Sequence, residues 1–435
     1  MPADIDMGEC TLSNVEEMKQ GALVQRQIEE SKYSSIRPRI MNNNSVIEFE
    51  IKNPDCFLEM NKTEIAIKYH ITKADGTNLT ADDKVAVVNY PIAALIKSVD
   101  VKLNDKIITH GSSNYAERAL LEAFTTYGRD AENTWLRAGQ FVKDTAGRMD
   151  AADPSLDDKT ANHGLKTRAE ESALSKVMEI RGQLHGDLFN QSRPLPRNSR
   201  VHITFTRNND AYCLMSNVDN AAYKIEIDEM TLWVHKIFVS DEVERSLAAQ
   251  QIVFPIVRVV MKEFSVTQGG NMFIENALHS GQLPTHIMLG LVSNQAHVGS
   301  YKHNPFHFTH ANARKVSLFR DGQVVNGRPL EMNFENGNVM DGYWSLLRAT
   351  NTRYANAGGL IELDDYKKGG YVLWAYDLSQ SQCDEQYIDP KRNGGLSLEI
   401  EFAKNIAEPL TLCVFLQFDS EIIINETGAV VLMYD

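Results

Sequence analysis

Cysteine is scarce in this sequence and shows no pairing pattern. The 435 residues include five cysteines, which form no C-x-x-C pair: Cys10, Cys56, Cys213, Cys383 and Cys413. An odd and scattered set argues against a disulfide framework and against a zinc knuckle. We therefore expect reduced thiols, most of them buried.

Long apolar runs and clustered positive charge are also missing. No segment approaches the roughly 20 apolar residues that a membrane helix needs. The first ten residues, MPADIDMGEC, show no basic region followed by an apolar stretch, so we expect neither a standard secretory signal nor a transmembrane segment. The net charge is -14, and acids outnumber bases in residues 1–44. Such a chain is not expected to bind nucleic acid through its phosphates or in a sequence-specific way.

Catalytic signatures are absent too, since the chain has no G-x-S-x-G elbow, no Walker A loop and no Rossmann glycine run. Two acidic pairs, Asp364-Asp365 and Glu399/Glu401, have the residue types of a glycosidase site. Glu399 and Glu401 alternate with apolar residues, which is typical of the solvated face of a strand. The aromatic stretch 371–378, YVLWAYDL, fits a sugar-binding platform or a buried strand equally well. We expect no catalytic and no cofactor-binding residues.

Three histidines lie close together in SYKHNPFHFTH, residues 300–310. Imidazole is a common transition-metal ligand, so His303, His307 and His310 raise the question of a metal centre. Pro305 breaks any helix that would bring the first two onto one face, and no acid lies among them. His307 and His310 are three apart, which directs them to opposite sides of a strand. We predict structural or surface histidines and no metal site.

Much of the sequence alternates with a period of two. In SVIEFEIKN, Ile47, Phe49 and Ile51 are separated by charged residues, and the same pattern recurs around residues 65–71, 99–103, 201–205 and 225–227. A strand with one apolar and one charged face is typical of an antiparallel sandwich whose outer faces meet water.

Four segments depart from this pattern. We predict an N-terminal helix around 12–30, a helix over 114–127, and a linker helix over 240–251 that begins near Ser240 as N-cap. The stretch 129–172 is rich in Asp, Lys, Ala and Gly, which favours a long surface insertion, and it is our first candidate for an outer loop.

The second half of the chain repeats the order of the first. VKLNDKII (101–108) predicts a strand, a turn and a strand followed by a helix, and VSLFRDGQVV (316–325) predicts the same layout around an Asp321-Gly322 turn, with a helix at 339–349. The spacing of roughly 200 residues suits a duplicated domain. We predict an arm over 1–44, a first domain over 45–239, the linker over 240–251 and a second domain over 252–435.

Each half offers about eight short strands and one helix, which fits a jelly roll of two four-stranded sheets. The predicted fold class is therefore all-β: two tandem jelly-roll β-sandwiches with one flanking helix each and an N-terminal helical arm. Two unrelated sandwiches would explain the strands, but not the matched position of the helix.

Several stretches together resemble one protein family. They are SVDVKLNDKIITHGSSNY, ALLEAFTTYG, HGDLFNQ, SGQLPTHIMLGLVSN, GSYKHNPFHF, FENGNVMDGY, LEIEFAK and the terminal VLMYD. The sequence resembles the double jelly-roll, or hexon-like, major capsid proteins of Polinton (Maverick) elements, adintoviruses and related small double-stranded DNA viruses. The resemblance runs from about residue 45 to the C-terminus.

This resemblance implies a non-enzymatic capsid protein of the virion. It implies a homotrimer whose six jelly rolls form a pseudo-hexagonal capsomer of an icosahedral shell, with neighbouring capsomers, a penton protein and minor cement proteins as partners. It also implies that Asn304, Pro305, Phe306 and Phe308 are the recurrent positions near the histidines. The alternative is a glycan-binding protein or glycan-acting hydrolase built on the same architecture.

Overall fold

The computed structural model describes residues 27–41, 45–109, 114–240, 245, 251–353, 355, 358–380 and 390–433. Most of the ordered structure is β-strand. The strands of the first half are β1 (Ile28–Ile36), β2 (Ile40–Met41), β3 (Val46–Lys52), β4 (Phe57–Lys73), β5 (Ala86–Val87), β6 (Ile96–Leu103), β7 (Lys106–Ile107), β8 (Met178–Gln183), β9 (Arg200–Arg207), β10 (Leu214–Met215) and β11 (Tyr223–Val239). Those of the second half are β12 (Ile252–Val266), β13 (Met272–Gln282), β14 (His286–Ser293), β15 (Ala313–Arg320), β16 (Gln323–Val324), β17 (Leu330–Glu331), β18 (Leu373–Asp377), β19 (Asn393–Phe402), β20 (Leu410–Ile424) and β21 (Val430–Leu432).

Short helices connect the strands. They are α1 (Pro91–Ala94), α2 (Tyr115–Thr126), α3 (Arg129–Glu132), α4 (Trp135–Ala138), α5 (His163–Glu171), α6 (Asp210–Cys213), α7 (Asn294–Val298), α8 (Met340–Ala349) and α9 (Leu363–Lys368), with 3-10 turns at Ala173–Ser175 and Val325–Gly327. No helix in these described ranges is long and apolar enough to cross a membrane.

The two halves have the same strand order. The first half pairs its strands as β1-β11-β4-β8 in one sheet and β2-β3-β9-β6-β7 in the other. The second half pairs them as β12-β20-β14-β18 and β13-β19-β15-β16, with β21 added to β20 and β17 to β15. Strand β1 therefore corresponds to β12, β3 to β13, β4 to β14, and so on to β11 and β20. Two sandwiches with one topology confirm the predicted tandem jelly rolls.

The predicted helices occupy equivalent places in the order of elements of the two halves. Helix α2 lies between β7 and β8, and helix α8 lies between β16 and β18. The turns before them match as well: Asn104 and Asp105 have φ of 48° and 66°, and Asp321 and Gly322 have φ of 50° and 80°. Two positive φ values define the two-residue turn whose twist suits a hairpin. The strand–turn–strand–helix order expected from the sequence is confirmed in both halves.

Alternation along the strands builds the core as predicted. Ile47, Phe49 and Ile51 are at most 1% exposed, whereas Glu48 and Glu50 between them are half-buried. Burying one side chain of this size contributes about 2 kcal/mol, so the alternating residues fix which face of each sheet turns inward.

The predicted N-terminal helix is wrong where the structure describes it. Residues 12–26 of that helix lie outside the described ranges, but Ile28–Glu30 belong to strand β1, which pairs with β11. The first six residues of β1 are exposed on both sides, so they carry no alternating signature of a strand. The predicted linker helix, 240–251, lies almost wholly outside the described residues.

The predicted state of the cysteines is confirmed for three of them. Cys56, Cys213 and Cys413 are buried and form no disulfide. Burial raises the pKa of the Cys213 thiol well above its ordinary value, because the thiolate would lose its solvation. Cys10 and Cys383 lie outside the described residues.

Candidate functional site: the joint between the two sandwiches

The two sandwiches meet in a joint that is rich in polar contacts. We call the joint the set of residues that bond across the halves. Its pairs include Asn104–Gly428, Asn114–Glu263, Glu117–His297, Lys143–Asp365, Gly147–Gly369, Asp150–Asn304, Asp187–Val259, Arg193–Val253, Asn209–Val298, Ser216–Tyr301 and Tyr223–Tyr301. Buried polar groups need partners, so these pairs specify how the two sandwiches fit together.

One cluster of the joint lies at the start of helix α2. Asn114 and Glu117 are one turn apart and therefore lie on the same side of the helix. The carboxylate of Glu117 accepts a hydrogen bond from the Tyr212 hydroxyl at 2.8 Å and lies 3.5 Å from Nδ1 of His297. The Nε2 atom of His297 lies 3.2 Å from Glu263, which also accepts a bond from the Asn114 amide. His297 thus bridges one carboxylate from each sandwich.

The charge of His297 follows from these neighbours. Its hydrogen bonds to Glu117 and Glu263 raise the pKa of His297 to about 10, although burial opposes the charged form. The pKa of Glu263 is lowered, chiefly by its hydrogen bond from His297. At neutral pH the cluster is therefore an imidazolium between carboxylates, which forms ion pairs with both sandwiches.

A second cluster begins at the next residue of helix α2. Arg118 donates to Glu122 at 2.8 Å and to Asp187 at 2.7 Å, and its side chain is only 4% exposed. Burial raises the pKa of Glu122, but Arg118 and a hydrogen bond with His185 lower it to about 2. Asp187 also accepts the backbone N–H of Val259 at 3.3 Å, so this cluster holds the first strand of the second sandwich.

A third cluster comes from residues 129–172, and it shows that the predicted surface insertion is wrong. Arg168 pairs with Asp144 at 2.6 Å, and neither side chain has any exposed surface. Asp144 also accepts the amide groups of Asn162 and Asn304, each at 2.9 Å. Several polar groups of the segment therefore pair inside the joint, whereas residues 157–160 are exposed. It packs between the sandwiches instead of forming an outer loop.

Further bonds connect this segment to the second sandwich. The ammonium of Lys143 donates to the Asp365 carboxylate and to the Leu360 carbonyl. The Tyr371 hydroxyl donates to the Asp144 carbonyl at 2.8 Å. These partners all lie in the second half, whereas Arg168 donates to the Val87 carbonyl of the first, so the segment connects the two sandwiches.

The three clustered histidines have separate partners. His303 Nδ1 bonds the Ser300 hydroxyl at 3.1 Å, and His307 pairs with Asp150. His310 stacks on Phe334 with the ring centres 4.4 Å apart, and burial lowers its pKa. Within the described ranges no group of three or more His, Cys, Asp or Glu side chains is arranged to hold a metal ion. The neighbouring Asn304 and Phe306 are buried at 0% and 1% exposure, and Asn304 belongs to the joint.

Among the remaining sequence candidates, Glu401, Asp365 and the aromatic stretch have structural partners. Glu401 binds Arg314 at 2.8 Å and Lys315 at 3.0 Å on the outer face of its sheet. Asp365 pairs with Lys143, as described above. The aromatic stretch forms the buried strand β18, in which Trp374 is 0% exposed and donates to Met332 Sδ at 3.3 Å. Of the two interpretations of that stretch, the buried strand is confirmed.

Comparison with known proteins supports the fold. No family model matches the chain. An uncharacterized protein of Caenorhabditis elegans is 24% identical over 383 residues, which cover 84% of this chain and 88% of the relative. A chain of the Sputnik virophage superimposes with a TM-score of 0.64 at 12% identity, covering 96% of this chain and 91% of that one. The major capsid protein of mavirus superimposes with a TM-score of 0.53 at 12% identity, covering 99% and 96%.

These solved structures and the strand order define the class. The chain has the double jelly-roll fold of the major capsid proteins of mavirus and Faustovirus. The fold predicted from the sequence resemblance is confirmed. At identities this low the likeness concerns the fold, and the function rests on what the joint and the surfaces can do.

Proposed function

We propose that this chain is the major capsid protein of a double-stranded DNA virus, in which three copies form a pseudo-hexagonal capsomer that tiles an icosahedral shell in the virion. The observation that carries this proposal is the pair of sandwiches with identical strand order, held by one polar joint. Three such chains present six similar units around one axis, and closed symmetry makes the contacts repeat.

The chemistry of the joint supports a structural role. The buried charges described above pair with one another, as Arg168 does with Asp144. Rigid coupling of the two sandwiches is what a shell subunit needs, because a capsomer that flexes at its joint would not tile regularly. We assign no catalytic, cofactor-binding or metal-binding residues and propose that the protein is not an enzyme.

Partners follow from the proposed shell. They would be other copies of this chain, a penton protein at the fivefold positions and minor cement proteins between capsomers. The net charge of -14 fits a shell that does not bind nucleic acid in a sequence-specific way.

The Polinton and adintovirus group remains our proposal for the virus type, and the domain bounds 45–239 and 252–435 also remain proposals. Strands β1 and β2 lie before residue 45 and yet pair within the first sandwich.

Size-exclusion chromatography with light scattering tests the proposal. A capsomer protein should elute as one species with about three times the mass of the 48.9 kDa chain. A glycan array probed with the same sample should show no binding. A stable monomer that binds or cleaves glycans would contradict the proposal and favour the glycan-acting alternative.

A further inference from the structure

The two equivalent helices differ in how far they are covered. In α2 every residue from Tyr115 to Phe124 is buried. In α8 only Gly342, Ser345 and Leu346 are buried, while Met340 is 51% and Trp344 is 42% exposed. A tryptophan and a methionine on one exposed helix face are typical of a contact surface, since these residues are enriched at interfaces.

Aligning the helices shows which face is open. We align the helices by pairing Ala119 with Ser345 and Leu120 with Leu346, since each pair is a small residue or a leucine that is buried in both helices. In this alignment Asn114 corresponds to Met340, and Arg118 corresponds to Trp344. The open face of α8 is therefore the counterpart of the α2 face that the joint covers.

The joint also shows what covers that face. Strand β12 reaches the start of α2, because Glu263 of β12 accepts the Asn114 amide. The Val259 N–H of β12 also binds Asp187, which is the partner of Arg118 in α2. Strand β12 is the edge strand of its sheet, and its counterpart in the first sandwich is β1. Within the described residues, β1 has a partner strand on one side only, and its Ile28 and Tyr33 are 44% and 45% exposed.

Each chain thus carries one open α8 face and one open β1 edge. We propose that the α8 face, formed by Met340 and Trp344, docks on strand β1 of a second copy of this chain and so repeats the joint between chains. The proposal rests on the proposed capsomer. The contact is heterologous, because two different surfaces of the chain meet. Three copies close a ring, since each chain supplies two of the six sandwiches of the proposed capsomer. An unpaired edge strand is itself a ready site for such docking.

Two charge substitutions test the interface. W344D places a charge on the α8 face, and Y33D places a charge on the β1 edge. Both side chains are exposed, so both variants should still fold, as circular dichroism would verify. Each variant alone should be monomeric by light scattering at the concentration where the wild type is trimeric. The control is L174D, which alters a residue that is 61% exposed on another part of the first sandwich and should leave the trimer intact.

Mixing the two variants gives the sharper result. W344D retains a working β1 edge and Y33D retains a working α8 face, so an equimolar mixture should form a dimer of the two variants and no trimer. Trimers that survive W344D and Y33D would overturn the interface alone and would assign the α8 face to another occupant, such as residues 1–26 of the same chain. Monomeric single variants that do not dimerise on mixing would disprove the pairing of these two faces. A monomeric wild type would overturn the interface together with the proposed function.

Discussion

His297 of the second sandwich lies 3.5 Å from Glu117 of the first and bridges to Glu263 on its other side. The two carboxylates come from elements far apart in the sequence, helix α2 and strand β12. An imidazolium in this position is stabilised only when the sandwiches are joined, so its titration reports on the joint.

The first prediction concerns alkaline pH. The folded-state pKa of His297, about 10, exceeds the ordinary value of 6.5, so its contribution is fully present below pH 6.5 and is lost as pH rises to about 10. We expect H297Q to lower the free energy of unfolding by about 2 kcal/mol at pH 6, where a hydrogen bond to a charged group is lost. The difference from wild type should shrink towards zero by pH 10.5, as measured by urea denaturation.

His163 provides the control for this titration, because it is exposed on helix α5. H163Q should leave the free energy of unfolding nearly unchanged at every pH. A difference between wild type and H297Q that stays constant from pH 6 to pH 10.5 would rule out a charged His297 in the joint.

The second prediction concerns Arg168 in the 129–172 segment. R168M removes the partner of the fully buried Asp144 and also the hydrogen bond that Arg168 donates to the Val87 carbonyl. An unpaired buried carboxylate is costly, so the free energy of unfolding should fall by about 3–5 kcal/mol, measured at fixed protein concentration.

Arg328 is the matched control, since its side chain is 74% exposed and pairs with Asp341 at 2.8 Å. R328M should cost less than about 1 kcal/mol, as exposed ion pairs do. An R168M variant no less stable than R328M would mean that the segment is not a structural part of the joint.

The third prediction concerns the tight packing of strand β14. A Cβ added at Gly290 would lie 2.6 Å from Cδ1 of Phe308 and 2.9 Å from Cδ2 of Leu373, in the core of the second sandwich. G290A should therefore destabilise the protein by about 1–3 kcal/mol through overpacking. G359A is the control, because the nearest atoms to its Cβ would be 3.7 Å away, at ordinary contact distance. Equal melting temperatures for the two variants would refute the packing argument.

The sequence predicted the sandwiches well because their signal is local. Ile47, Phe49 and Ile51 show which face of a strand is buried, and the Asp321-Gly322 turn shows where a hairpin closes. Strand β1 escaped prediction because both of its faces are largely exposed, so no period of two is visible.

The joint could not be predicted in the same way. Asp144 and Arg168 are charged residues in a polar stretch, and composition alone places such a stretch on the surface. Their pairing depends on the fold, since Asn304 reaches Asp144 from the other sandwich. One signal was available: Arg118 and Glu122 are four residues apart on a helix with an apolar face, which is the spacing of an intrahelical ion pair.

Electron microscopy of the purified protein tests the central claim most directly. Class averages of single particles should show threefold particles with six lobes in a near-hexagonal outline, in which every second pair of neighbouring lobes is the two sandwiches of one chain. Particles with only two lobes, at concentrations where the protein is homogeneous by light scattering, would contradict a capsomer built from three copies.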